Sequence, residues 1–161
     1  MAGSSDKPKA LTVLQALNLA VQHHSAGRLS EAESVYRQIL QSHPDQIDAL
    51  HLLGAIANQV GKNDIAIDLI TKAIAIKPDF AEAHNNLGNA LGKLGRAVES
   101  EASYRRALEI NPDYADALYN LGSYNLRVGK LDEARMQLER AVTLKPDFSE
   151  AHNNLGNALL D

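Results

Sequence analysis

KPDFAEAHNNLGNAL, residues 77–91, returns as KPDFSEAHNNLGNAL at residues 145–159 with a single residue changed. The copies lie 68 residues apart, and at half that distance residues 111–125 read NPDYADALYNLGSYN, a looser third copy. The unit is therefore 34 residues long. Pro44, Pro78, Pro112 and Pro146 keep the interval, as do two glycine series: Gly27, Gly61, Gly95, Gly129 and Gly54, Gly88, Gly122, Gly156. A fixed period of this size means stacked supersecondary units, none of which can bury its own apolar face alone.

Composition agrees with such a stack. Of the 161 residues 45% are apolar but only 4% aromatic, so the core must be built from Ala, Leu, Ile and Val. That selection belongs to an all-helical protein. The net charge of −4 is spread over mixed signs with no stripe of Lys or Arg, so nucleic acid is not expected as a partner. There is no cysteine, which removes disulfides, thiol nucleophiles and Cys-ligated metals. No apolar run reaches the length of a membrane span and no signal-peptide core is visible. A soluble, cytoplasmic protein with no membrane partner is expected.

Residues 1–8, MAGSSDKP, have linker chemistry and are read as a disordered segment before one array over residues 9–161. From about Lys9 apolar residues recur at helical spacing (Leu11, Leu14, Leu17, Val21), and a first helix is expected to end at Gly27. Glycine there can take the left-handed backbone that closes a helix, and Arg28, Lys62, Arg96 and Lys130 each follow such a glycine. A second helix is expected from near Ser30, where Ser30 and Glu33 have capping-box spacing, to the residue before Pro44. The same plan gives units 13–46, 47–80, 81–114 and 115–148, with a partial unit at 149–161. Gly54, Gly88, Gly122 and Gly156 fall inside first helices, at a cost of about 1 kcal/mol each relative to alanine. The expected compensation is close packing against the small residues Ala66, Ser100 and Ala134, with Tyr36, Ile70, Tyr104 and Leu138 filling the gap to the next unit.

The unit resembles the tetratricopeptide repeat (TPR) family. Its motif is met by Leu87, Gly88, Gly95, Ser100 in place of alanine, Tyr104, Ala107 and Pro112. The departures are Ala20 for glycine, Ile39 for alanine, and Ile70 and Leu138 for the aromatic residue. The resemblance implies a right-handed superhelical solenoid of antiparallel helix pairs: four units and one terminal helix. It also implies a concave groove lined by unit positions 2, 5, 6, 9, 12 and 13 of the first helices.

Those positions are rich in neutral amides. The candidate peptide-binding residues are Asn18, Asn85, Asn86, Asn89, Tyr119, Asn120, Asn153, Asn154 and Asn157. An asparagine amide both donates and accepts, so a row of them can grip a peptide backbone without reading side chains. This is similar to the asparagine ladder in the repeat arrays of O-linked N-acetylglucosamine transferases. The bland alternative is that Asn86, Asn120 and Asn154 bond the neighbouring unit or meet water. Tyr119 is either an aromatic anchor or packs on Asn85 or Asn153. The acidic position 2 (Asp48, Glu82, Asp116, Glu150) argues against a clamp for a C-terminal carboxylate. With only neutral groups in play, little salt dependence is expected.

His23 and His24 are the only adjacent histidines, and neighbours on a helix point about 100° apart. His84 and His152 share one repeat position, which marks them as repeat architecture. No metal, no cofactor and no catalytic constellation is expected. Tyr36, Tyr104, Phe80, Tyr114 and Phe148 are read as core or junction residues. Three functions follow: a non-catalytic scaffold binding an extended partner segment, the recognition arm of a larger glycosyltransferase-like enzyme, or weak homo-oligomers through array ends bearing Leu11, Leu14, Leu159 and Leu160.

Overall fold

The computed structural model describes residues 11–160, apart from the side chain of Leu160; the 1–8 segment and the packing of Leu160 lie outside the described residues. Among the described residues there are nine α-helices and no strand. First helices α1 (Val13–Ser25), α3 (Ile47–Gln59), α5 (Ala81–Lys93), α7 (Ala115–Arg127) and α9 (Ser149–Leu160) alternate with second helices α2 (Leu29–Ser42), α4 (Asn63–Ile76), α6 (Ala97–Ile110) and α8 (Leu131–Leu144). Each helix packs on its sequence neighbours, and α3, α5, α7 and α9 also touch in succession. The result is the expected solenoid of four pairs and one further helix.

The glycine stops work by one mechanism. Gly27, Gly61, Gly95 and Gly129 have φ of 73°, 79°, 74° and 78°. Around Gly27, the glycine N–H donates to the His24 carbonyl (3.0 Å) and the Arg28 N–H to the His23 carbonyl (2.9 Å), and the other three glycines repeat this paired closure. These bonds satisfy carbonyls that the last helical turn would leave orphaned. His43, Lys77, Asn111 and Lys145, each before a proline, leave the helical region at φ between −128° and −136°.

Two start signals need correction. The first helix begins at Val13 rather than near Lys9: Thr12 accepts from the Gln15 N–H while the Gln15 side chain accepts from the Thr12 N–H, a reciprocal cap. In α2 the cap position is Arg28 and no side chain closes it, so the Ser30/Glu33 capping box does not form. Glu33 instead pairs with Arg37 at 2.7 Å. The left-handed glycine delivers the chain straight into the helix and leaves no extended residue for a serine cap.

The interior glycines also differ from expectation in their partners. A Cβ on Gly54 would meet Ile70 Cγ1 at 2.6 Å, on Gly88 Tyr104 Cε1 at 2.5 Å, and on Gly122 Leu138 Cγ at 2.8 Å. The large residue of the second helix therefore lies over the glycine of its own unit and, as expected, also packs into the next one: Ile70 clusters with Ala83 and Ala90, Tyr104 with Leu121 and Tyr124, and Leu138 with Ala151 and Ala158. The small residues matter at one remove: the Ala66 and Ala134 carbonyls approach to 3.3 and 3.4 Å, and Ser100 Oγ donates to the Gly88 carbonyl at 2.8 Å. Ala66, Ile70, Ala134 and Leu138 are fully buried. Among the described residues nothing would lie within 4 Å of a Cβ on Gly156.

This contrast separates two glycines that look identical in the sequence. Gly88→Val is expected to destabilise by about 1–3 kcal/mol through overpacking against Tyr104. Gly156→Ala is expected to be neutral or to stabilise by at most about 1 kcal/mol, because it removes a helix-propensity cost and meets no neighbour. Thermal melts followed by circular dichroism compare the two, and equal effects would contradict the packing described.

Candidate functional site

The first helices α3, α5 and α7 wall a groove of about 640 Å³, with Asn58, Asn86, Asn89, Tyr119, Asn120 and Ser123 among its lining residues. Their placement depends on joints between units. The aromatic residue that ends a unit turns back onto the fifth residue of that unit's first helix. Phe80 packs on His51 in a tilted pair with centroids 4.6 Å apart, and Phe148 packs on Tyr119 likewise at 4.7 Å. Tyr114, the last residue of its unit, lies close to Asn85 in the equivalent place. Tyr119 therefore packs on Phe148, and not on Asn85 or Asn153. Lys77 and Lys145 cover the outer faces of Phe80 and Phe148 at 4.9 and 4.6 Å.

The sixth residue of the following unit completes each joint. Asn86 Nδ2 lies 2.8 Å from His51 Nε2, and Asn120 Nδ2 donates to Asn85 Oδ1 at 2.8 Å. Tyr119, turned onto Phe148, offers no such acceptor, and Asn154 Nδ2 donates to Ser123 Oγ at 2.8 Å instead. Each amide thus bonds the neighbouring unit through a side chain. A primary amide has a second end, which for Asn86 and Asn120 is the oxygen. Asn89 has the complementary arrangement: its oxygen accepts from the Tyr104 hydroxyl at 2.8 Å and its nitrogen is left over.

Of the nine candidate residues, Asn86, Asn89, Tyr119 and Asn120 come together in the groove. Asn85 is only 4% exposed and serves the joint. Asn18, Asn153 and Asn157 are exposed but lie outside this lining, as does the half-buried Asn154. Among the lining residues that the sequence reading did not single out are Asn58, Gln59, Lys93 and Arg127. All four sit at positions 12 and 13, which the family resemblance already implied for the groove, so the signal was present. Lys93 and Arg127 also correct the picture of a wholly neutral groove.

The acidic position-2 residues Asp48, Glu82, Asp116 and Glu150 lie in the first turns of their helices, where negative charge suits the positive end of the helix dipole. His84 Nε2 and His152 Nε2 lie 3.0 and 2.9 Å from the carbonyls of Pro78 and Pro146, a shared junction role. Among the described residues no three His, Cys, Asp or Glu converge on a point, and no helix is long and apolar enough to cross a membrane.

Burial dominates the titration of the joints. Tyr114 is pushed up to about 12, first by burial and then by the Asp116 and Glu82 carboxylates. His51 is 7% exposed, and burial holds its pKa below the ordinary histidine value, against the opposing pull of Glu82 and Asp48. The folded state then binds fewer protons at this site than the unfolded chain. Its contribution to stability is complete above the ordinary histidine range and is lost as pH falls from there through the folded pKa. Melting temperature is expected to drop between about pH 7.5 and pH 5.5, and His51→Gln, which keeps an acceptor for Asn86, to flatten the drop. An unchanged slope in the variant would show that His51 is not the group responsible.

Two family models match the chain: a tetratricopeptide repeat model over residues 79–147 and a TPR repeat model over residues 58–95. Among solved structures, MamA is 27% identical with a TM-score of 0.74, the match covering 88% of this chain and 83% of MamA. The first TPR of Spaghetti (RPAP3), solved bound to the HSP90 peptide SRMEEVD, is 28% identical with a TM-score of 0.68, covering 71% of this chain and 91% of that one. The Thermobaculum terrenum O-GlcNAc transferase is 28% identical with a TM-score of 0.77 over 81% of this chain, a match that spans 26% of the transferase. Motif, helix pairing, glycine closure and both models agree, and the chain belongs to the tetratricopeptide repeat family.

Proposed function

We propose that this array is a non-catalytic scaffold that holds an extended segment of a partner protein in the groove of α3, α5 and α7. One observation carries the reading. Asn86, Asn89 and Asn120 each have one end of the amide fixed by a neighbouring side chain and the other end uncommitted among the described residues. The fixed ends hold the rotamers in place before a ligand arrives, which lowers the ordering cost of binding. Two oxygens and one nitrogen then line a path along which a peptide backbone offers an N–H and a C=O at every residue. The Spaghetti repeat domain, similar at 28% identity, is bound to a peptide, which supports peptide capture by this architecture. Tyr119 gives the path an aromatic wall.

The likeness to the O-GlcNAc transferase favours a second reading, in which the same groove is the substrate-recognition arm of a larger enzyme. The reading frame of the parent protein separates the two, since the enzyme requires a further nucleotide-sugar-binding region.

Selection of a displayed library of extended peptides on the chain tests the primary reading. Enriched peptides are expected to lose about tenfold or more in affinity to a chain carrying Asn86→Ala with Asn120→Ala, at one neutral hydrogen bond or more per site. Circular dichroism is expected to show unchanged helicity at the assay temperature. Unchanged affinity, or unfolding of the variant, would assign these amides to the joints alone.

A further inference from the structure

Fourteen residues line the groove of α3, α5 and α7, and the only two that carry charge are cations, Lys93 and Arg127. They stand one 34-residue repeat apart, in the last turns of α5 and α7. Both are held in place: Lys93 Nζ donates to the Asn58 carbonyl at 2.8 Å, and the Arg127 guanidinium lies 5.7 Å from the centroid of the Tyr124 ring. Among the described residues neither has a carboxylate within 4.0 Å, whereas Arg37, Arg96, Arg105, Arg106, Arg135 and Arg140 each have one. In a chain of net charge −4, this groove is a local reversal of sign. A helix dipole favours a cation in the last turn, yet α3 ends its groove face in the neutral Gln59. Beside the two cations, Asn58 is 8% exposed and its Oδ1 has no hydrogen-bond partner. That leaves an acceptor for a donor the protein itself does not supply.

The spacing defines what would fit. Helices α5 and α7 are in contact, and packed helices lie about 8–10 Å apart. A polyproline-II segment rises about 3.1 Å per residue with three residues per turn, so side chains three apart fall on one side of it, about 9 Å from each other. We infer that the groove selects an extended segment with two acidic side chains three residues apart, one carboxylate received by Lys93 and the other by Arg127. The intervening backbone lies on Asn89 and Asn120. This specificity rests on the peptide-binding reading above and adds to it the class of ligand.

The test uses the whole chain and three fluorescent peptides in a proline-rich, polyproline-II-forming sequence. The first is C-terminally amidated and carries two glutamates three residues apart. The second replaces both glutamates with glutamine, and the third is the glutamine peptide with a free C-terminal carboxylate. Fluorescence anisotropy is expected to show the glutamate peptide binding about tenfold or more tighter than its glutamine twin. The advantage is expected to shrink between about 50 mM and about 500 mM salt. Lys93→Gln with Arg127→Gln, both exposed positions, is expected to erase the advantage, bringing the glutamate peptide to the affinity of its glutamine twin on the same variant. Equal binding of the first two peptides, or an advantage that survives the double variant, overturns the inference. Preference for the free C-terminus alone overturns it as well, in favour of an end-group receptor. Should the glutamine peptide bind and depend on Asn86 and Asn120 with no preference for acid, the peptide groove stands and this specificity falls. Binding of none of the three at millimolar concentration counts against both.

Discussion

A helix that lacks one side chain lets its partner's bulkiest side chain lie in the gap, and the array is built on that seat. Gly54 receives Ile70, Gly88 receives Tyr104 and Gly122 receives Leu138, each so close that a Cβ would stand 2.5–2.8 Å from the seated group. An interior glycine costs about 1 kcal/mol in helix propensity. Burying a whole Ile, Leu or Tyr side chain is worth about 1.5–3 kcal/mol by area, which exceeds that cost. The seat also fixes how far apart the two helices lie. Three repetitions of the same separation generate a regular superhelix in place of a loose bundle.

Regularity of the pairs is what gives the groove its geometry. Once first helices recur at a constant step, the aromatic residue at position 34 of the second, third and fourth units lands by position 5, and the asparagine at position 6 of the following unit bonds back across the joint. Phe80, His51 and Asn86 form one such joint, and Tyr114, Asn85 and Asn120 the next. Where position 5 is Tyr119, the aromatic contact is kept and the amide shifts to Ser123. The proposed binding role is compatible with the structural one on the same residue: a side chain tied at one end by the fold presents its other end in a fixed direction. Ligand recognition by such a surface needs few new ordered groups, the usual route by which preorganisation raises affinity.

The fold was legible because periodicity is a property of sequence alone. Glycine and proline spacing located the helix ends, and the left-handed backbone at Gly27, Gly61, Gly95 and Gly129 follows from the one residue that adopts it at no steric cost. What spacing cannot convey is which neighbour fills a gap. Small residues on facing helices suggested contact between small side chains, but volume is conserved by seating a large side chain on a small one. Similarly, Ser30 and Glu33 have the spacing of a capping box, yet a cap needs an extended residue that the glycine turn leaves no room for. In the groove, the family resemblance marked a face that carries Asn86, Asn89, Tyr119 and Asn120, which do line it. It could not distinguish Asn85, drawn under Tyr114, from its neighbour Asn86. Lys93 and Arg127 were not legible as a feature because position 13 carries no repeating charge: successive units have Ser25, Gln59, Lys93 and Arg127 there.

The central claim is that the uncommitted amide ends of α5 and α7 touch the partner backbone. Side-chain amide resonances of a ¹⁵N-labelled chain, followed while a library-selected peptide is titrated in, report on those groups directly. The account predicts that the Asn86, Asn89 and Asn120 amides shift together, with backbone changes confined to α3, α5 and α7. Shifts concentrated instead on the outward residues Val98 and Met136, which are 77% and 62% exposed, with the three asparagines unmoved, would contradict it.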